Sequence, residues 1–136
     1  MSECIFCKII KGEIASYKVY EDENNLAFLD INPHAKGHVV VIPKDHAETI
    51  FELSDEKMEK LSIAIKRTIE KINLVLQPEG YNVGWNHGKI GGQTVPHLHV
   101  HIFPRYSGDQ GGSVHSIVSN NGGISVEQLA KKFEKI

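Results

Sequence analysis

The stretch His97–Phe103 reads HLHVHIF, and in it three of the chain's eight histidines alternate with apolar residues. Successive side chains of a β-strand point to opposite faces, so the alternation predicts a strand that buries Leu98, Val100 and Ile102. The three histidines then share the other face, and at a rise of ~3.3 Å per residue the first and third lie about 13 Å apart. Because a Zn–N bond is only about 2.0 Å long, the three rings cannot bind one ion together without a sharp bend.

Three histidines in this register indicate a catalytic or binding site rather than an exposed strand face that merely accepts histidine. A half-exposed strand accepts a single histidine, but adjacent imidazoles repel when charged, and strand formation does not favour them. A neutral imidazole can attack phosphorus, and a neighbouring imidazolium can stabilise the negative charge that develops. The preceding loop, Asn86–Pro96, has paired glycines that let backbone N–H groups approach an anion, and Gln93 and Thr94 add side-chain donors. It lacks the GxxxxGK[ST] pattern, so it predicts a phosphate cradle of another kind.

The rest of the chain predicts an α+β fold with an antiparallel sheet. An amphipathic helix begins after the N-cap Ser54 and runs to Leu76, and a capping box at Ser125 begins a short last helix. Cys4–Ile10 reads as a short helix or turn. The further strands are predicted at residues 18–21, 26–30, 38–43 and 81–85.

Length and composition predict one domain over residues 1–136. The composition is 40% apolar and 24% charged, with a net charge of −2, so no broad surface for nucleic acid is expected. No apolar run reaches the roughly 20 residues that span a bilayer, and the N-terminus lacks the pattern of a secretory signal. We therefore expect a cytoplasmic protein without a membrane partner.

Several segments, in the right order, resemble the histidine triad (HIT) family. Gly92–Phe103, GQTVPHLHVHIF, resembles the HφHφHφφ motif of that family, in which φ is apolar. Phe28–Pro33, FLDINP, and Gly37–Lys44, GHVVVIPK, resemble its other block, and CIFCKIIKGEI from Cys4 resembles its bacterial members. The segment after Tyr106 resembles the family least.

The resemblance implies a nucleotide-binding hydrolase or transferase that acts at an α-phosphate through a covalent nucleotidyl-histidine. His99 would be the nucleophile, His101 would contact the phosphate and assist the leaving group, and His38 would support His99 from the neighbouring strand. Asp30 would accept hydrogen bonds from the ribose hydroxyls. The implied nucleotide-binding residues are Ile14, Phe28, Asp30, Ile31, Asn86, Gly92, Gln93, Thr94, His99 and His101. For Phe28 and Ile31, a place in the core is an equally good interpretation.

The resemblance also implies a HIT-like architecture and a second copy of the chain. The architecture is an antiparallel sheet of about five strands with a long helix and short terminal helices. Family members are usually homodimers whose sheets join across a two-fold axis.

Cys4 and Cys7 have the C-x-x-C spacing of a zinc knuckle, which needs two more ligands. His46 and His97 are candidates. Some bacterial HIT proteins, and the related galactose-1-phosphate uridylyltransferases, carry a structural zinc with two Cys and two His, so the resemblance implies one closed Zn²⁺ site made of these four residues. The competing interpretation is a pair of free thiols. A redox pair is less favoured because the βαβ context is missing.

Three functions remain open at this stage. The first is a hydrolase of nucleoside monophosphate conjugates, either purine phosphoramidates or dinucleoside polyphosphates. The second is a regulatory module that binds AMP with little turnover. The third, a zinc hydrolase with an open coordination position, conflicts with the spacing of the three histidines.

Overall fold

The computed structural model describes residues 3–136, which form one five-stranded antiparallel sheet with helices. The strands are β1 (Lys18–Glu21), β2 (Asn25–Leu29), β3 (Val39–Pro43), β4 (Gly80–Gly84) and β5 (Val100–Arg105). The helices are α1 (Ile5–Ile10), α2 (Asp55–Leu76) and α3 (Val126–Phe133), with single 3₁₀ turns at Ile50–Glu52 and Val114–Ser116. Within the described residues, no helix is long and apolar enough to cross a membrane. The predicted fold class is confirmed.

The order of strands in the sheet, β1-β2-β3-β5-β4, makes β3 and β5 neighbours although a long segment separates them in sequence. Their register sets Val40 opposite His101 and Val39 opposite Ile102. The residue that precedes β3, His38, therefore lies at the end of the histidine segment, next to Phe103 and His101. This pairing positions the site.

The long helix α2 covers one face of the sheet. Ser54 accepts a hydrogen bond from the Lys57 N–H at 3.2 Å, which caps the helix start, and Gln77 ends the helix in a left-handed conformation. Its buried residues join the inward side chains of β3 and β5 in the main core; these include Leu61, Ala64, Ile72, Val39, Val41, Val100 and Ile102. Each large apolar side chain buried there contributes about 1.5–3 kcal/mol to stability.

The short helix α1 covers part of the opposite face. Ile9 packs with Phe28, Val40 and Ile42 in a second apolar cluster, and Phe6 lies against it. A helix of six residues is too short to be stable alone, so α1 depends on these contacts and on the contacts of Cys4, its N-cap, and Cys7.

The largest departure from the predicted elements lies in the histidine segment. β5 begins at Val100, so His97, Leu98 and His99 precede the strand instead of belonging to it. The Leu98 N–H bonds to the Ala47 carbonyl at 2.7 Å and the His97 N–H to the Val95 carbonyl at 2.9 Å, which takes both groups out of a strand ladder. The predicted alternation still holds, because Leu98, Val100 and Ile102 are at most 1% exposed.

Candidate active site

His38 and His101 lie side by side where β3 and β5 pair. His38 Nε2 is 2.9 Å from His101 Nδ1, and the backbone N–H of His34 donates to His38 Nδ1 at 3.2 Å. Because Nδ1 of His38 accepts a hydrogen bond, the proton of the neutral ring is on Nε2, and it is donated to His101 Nδ1. His101 therefore carries its own proton on Nε2. The result is an imidazole that presents a hydrogen-bond donor.

His99 has the opposite tautomer. Its Nδ1 is 2.7 Å from the His97 carbonyl oxygen, which can only accept, so Nδ1 carries the proton and Nε2 keeps its lone pair. The His99 ring centroid is 5.1 Å from that of His101 and 5.1 Å from the ring of Phe6. Adjacent rings thus present a lone pair and an N–H donor, as attack on a phosphorus next to a stabilised oxygen requires.

Burial keeps the donor pair neutral at pH 7. Desolvation first, and then the neighbouring His99 and His38, lower the pKa of His101 to about 4, against the opposing effect of Asp30. Burial also lowers the pKa of His38, against the opposing effect of Asp30. Because the pair is neutral, it can take up one proton when an anion binds beside it.

Asp30 lies at the edge of the histidine pair. One carboxylate oxygen is 3.6 Å from His38 Nε2, and the other accepts the Asn32 N–H at 2.8 Å. Together with His38 and His101 it forms a group of potential metal ligands within 4.8 Å of one another. A metal on His38 Nε2 would force a proton onto Nδ1, where it would face the His34 N–H. The hydrogen bonding therefore favours a proton relay over an open metal site.

The three residues predicted as walls for the base have different surroundings. Ile14 and Ile31 are exposed, whereas Phe28 is 6% exposed and contacts Phe6 edge-to-face at 5.7 Å. Phe28 therefore serves the packing of α1 on the sheet, the alternative that the sequence also allowed. Phe6 has no separate signal in the sequence beyond its place between the two cysteines.

The glycine loop is held by its own side chains. Gln93 Oε1 accepts the Gly88 N–H at 2.9 Å, and its Nε2 donates to the carbonyls of Glu48 and Val95 at 2.8 and 3.0 Å. The Gln93 amide thus braces the loop, and a phosphate could use it only if these bonds opened. Three predicted phosphate-side residues remain exposed in the same loop: Asn86, Gly92 and Thr94. Gly92 has φ +100°, a conformation that favours glycine.

The structure brings Cys4, Cys7, His46 and His97 together, as predicted. The measured separations are 3.4 Å for Cys4 Sγ–His97 Nδ1, 3.3 Å for Cys7 Sγ–His46 Nδ1, 3.7 Å for Cys7 Sγ–His97 Nδ1 and 3.1 Å between the two Nδ1 atoms. A zinc tetrahedron with two sulfur and two nitrogen ligands has edges of about 3.3–3.8 Å. The His97 Nε2–H donates to the Pro43 carbonyl at 2.9 Å, which leaves Nδ1 as the ligand atom. The donor set fits a closed zinc site.

This chain is similar to known proteins of one family. The model of the HIT domain matches residues 11–108. An uncharacterised HIT-like protein of Methanocaldococcus jannaschii is 51% identical over 78% of this chain and 81% of its own length. The adenosine 5'-monophosphoramidase of Schizosaccharomyces pombe is 46% identical over 79% of this chain and 78% of its own. A crystal structure of a HIT family member from Bacillus subtilis superposes with a TM-score of 0.86 at 41% identity, covering 98% and 94% of the two chains.

The matched residues include β3, the glycine loop and β5, which carry the histidine pair and the ring with the free lone pair. The two cysteines lie outside the match. The chain belongs to the HIT domain family.

Proposed function

We propose that this protein is a nucleotide hydrolase that cleaves the α-phosphate of nucleoside monophosphate conjugates through a nucleotidyl intermediate on His99. The observation that carries the proposal is the pair of opposite tautomers, with a lone pair on His99 Nε2 and a donor on His101 Nε2. A protein that only bound AMP would gain nothing from an aligned nucleophile.

In the proposed reaction, His99 Nε2 forms a bond to the α-phosphorus while the bond from phosphorus to the leaving nitrogen breaks. The anionic phosphate stabilises one additional proton on the His38–His101 pair, and His101 passes it to the leaving nitrogen. Water then attacks the phosphorus, the bond to His99 breaks, and the proton from water returns to His101. The net reaction converts a phosphoramidate and water into a nucleoside monophosphate and an amine.

We propose purine phosphoramidates as the first substrate class to examine. The support is the likeness to fungal proteins named adenosine 5'-monophosphoramidases, from S. pombe at 46%, Candida albicans at 40% and Saccharomyces cerevisiae at 43% identity. Dinucleoside polyphosphates, the other class considered from the sequence, react by the same steps with oxygen as the leaving atom. In either case Asp30 accepts from the ribose hydroxyls.

Hydrolysis of adenosine 5'-phosphoramidate by wild type, His99→Asn and His115→Asn tests the proposal. His115 is an exposed histidine outside the site and serves as the matched control. We expect His99→Asn to lower kcat on the order of 10⁴-fold while AMP still binds. Tight AMP binding by the wild type without turnover would instead support the alternative, an AMP-binding regulatory module.

We further propose that Cys4, Cys7, His46 and His97 hold a structural Zn²⁺. The ion would crosslink α1 to the segments before β5 and after β3, and its charge would favour the thiolate of Cys7, whose pKa is raised by burial in its absence. His97 would then anchor the carbonyl that orients His99. The site supplies structure, and no step of the reaction passes through it.

We also propose a cytoplasmic homodimer. Reduced thiols and a zinc–thiolate site suit a reducing compartment. β4 is an edge strand, and Val83 on it is 39% exposed, so two copies could join their sheets along this edge. Light scattering after size-exclusion chromatography tests the proposal, since a monomer at micromolar concentration would contradict it.

A further inference from the structure

A cavity of about 580 Å³ is lined at His101. His38 and Asp30 also line it, as do residues of the segment that follows β5. Among residues 3–136, the residues that line it do not include Ile14, Phe28 or Ile31, which were predicted to surround the base. Its volume lies within the range of small-molecule sites. His101, the proposed proton donor to the leaving nitrogen, lines this cavity, so the cavity suits the leaving group of the substrate.

Most charged groups of the cavity wall already have partners. Arg105 and Asp109 form a two-pronged ion pair, with Nε–Oδ2 at 2.7 Å and Nη2–Oδ1 at 2.8 Å, so their charges cancel. Asp30 lies at the histidine end, where it is 3.6 Å from His38 and available to the ribose. The ion pair therefore provides no net charge and Asp30, beside a neutral His38, provides a negative one, so neither supplies a cation to the leaving group.

Lys36 is the exception. In residues 3–136, no carboxylate oxygen lies within 4.0 Å of its ammonium, which instead lies 5.6 Å from the centroid of the Tyr106 ring. The Tyr106 hydroxyl donates to the Lys36 carbonyl at 3.0 Å, which fixes the backbone of this lysine against the cavity wall. A cation held at this place attracts an anion and repels another cation.

We propose that Lys36 is a specificity-determining residue that makes the enzyme prefer leaving groups carrying a negative charge. The ligand chemistry is an anionic group, carboxylate or phosphate, close to the scissile bond. Trp85, Phe103 and Tyr106 also line the cavity, and their aromatic rings can pack against a flat substituent that follows the anionic group. This inference rests on the proposed transfer of the nucleotide to His99, and the chemical steps are unchanged; only the group bonded to phosphorus differs.

Four adenosine 5'-phosphoramidates test the inference in the full-length protein. The leaving amines are ammonia, glycinamide, glycine and aminomethylphosphonate, so the last three have similar size and carry no charge, a carboxylate or a phosphonate. Ammonia is too small to reach Lys36 and reports the chemistry at His99. The readout is kcat/KM for each conjugate divided by kcat/KM for the ammonia conjugate.

We expect the wild type to favour the glycine and aminomethylphosphonate conjugates over the glycinamide conjugate by about fivefold, as one partly exposed charge pair would provide. Lys36→Gln should abolish the preference, Lys36→Glu should reverse it, and Lys36→Arg should keep it. Lys66→Gln, which removes an exposed lysine of α2 outside the cavity, is the matched control and should keep it as well.

The two anionic conjugates show which anion the site prefers. A preference for only one of them assigns the site to a carboxylate or to a phosphate. Equal ratios for all conjugates in the wild type, or ratios that Lys36→Glu leaves in place, would overturn the inference while the proposed function stands. If the wild type cleaved none of the four, the proposed function would fail, and this inference with it.

Discussion

Removal of the proposed zinc ion, or of one of its four proposed ligands, should destabilise the protein by a predictable amount. The perturbation is Cys7→Ser, compared with treatment of the wild type by a strong zinc chelator. In the proposed site the ion bonds both the completely buried His97 ring and the 8% exposed Cys4 thiol, so its removal would break these bonds and the crosslink from α1 to the sheet.

The size of the effect follows from binding linkage. If free zinc exceeds the dissociation constant 1,000-fold, binding stabilises the folded state by about 4 kcal/mol. For 136 residues, the entropy of unfolding is about 0.3 kcal/mol per kelvin near 60 °C, so we expect Tm to fall by about 10–15 °C. Differential scanning calorimetry measures the shift, and metal analysis of the same sample gives the zinc content.

His115→Ala is the control, because it removes an exposed histidine outside the cluster and should leave Tm within about 2 °C. Cobalt substitution should give the absorption bands of a tetrahedral site with two thiolates. A purified protein with less than stoichiometric zinc, freely alkylated cysteines and an unchanged Tm after chelation would exclude a structural zinc site.

Three further predictions follow from the same structure. The pKa of His101 is about 4, below that of an unfolded histidine, so the unfolded state binds more protons and the free energy of unfolding should fall as the pH drops from about 6.5 towards 4. An NMR titration should show this low pKa and its rise when AMP binds. An unperturbed pKa would show that burial does not act on His101 as described. Gly37→Ala should lower the free energy of unfolding by about 1–3 kcal/mol, because Gly37 has φ +84° and an added methyl would overlap the Leu76 side chain; urea denaturation measures this, and a loss below 0.5 kcal/mol would count against the described packing. Asp30→Asn should weaken AMP binding about tenfold by calorimetry but should hardly change the binding of 2',3'-dideoxy-AMP, whereas equal losses for both ligands would exclude the ribose as its partner.

Local patterns in the sequence were enough to predict the elements, because each has its own signal. The capping box of Ser125 and Gln128 forms as predicted, and α2 begins after Ser54 and ends at Leu76. The strand β5 was predicted three residues too early, because the alternation of His97–His99 continues where the backbone no longer pairs. Periodicity reports which side chains are buried and does not report which N–H groups join a ladder.

The residues of the site could be predicted where they belong to a sequence motif. Features that depend on backbone hydrogen bonds could not be predicted. His99 and His101 follow from the motif, but their tautomers depend on the carbonyl of His97 and the N–H of His34, which any residue could supply. The role of Gln93 as a brace could not be foreseen either, because it depends on Glu48, a residue distant in sequence.

A chemical quench followed by mass spectrometry can detect the proposed covalent intermediate on His99. The wild type is mixed with an adenosine phosphoramidate, stopped in base, where a phosphorus–imidazole bond survives, and digested for peptide analysis. We predict an adenylyl group on the peptide that contains His99, at this residue, and its absence from His99→Asn. Rapid turnover with no adduct at any quench time, or an adduct on His101 alone, would exclude His99 as the nucleophile.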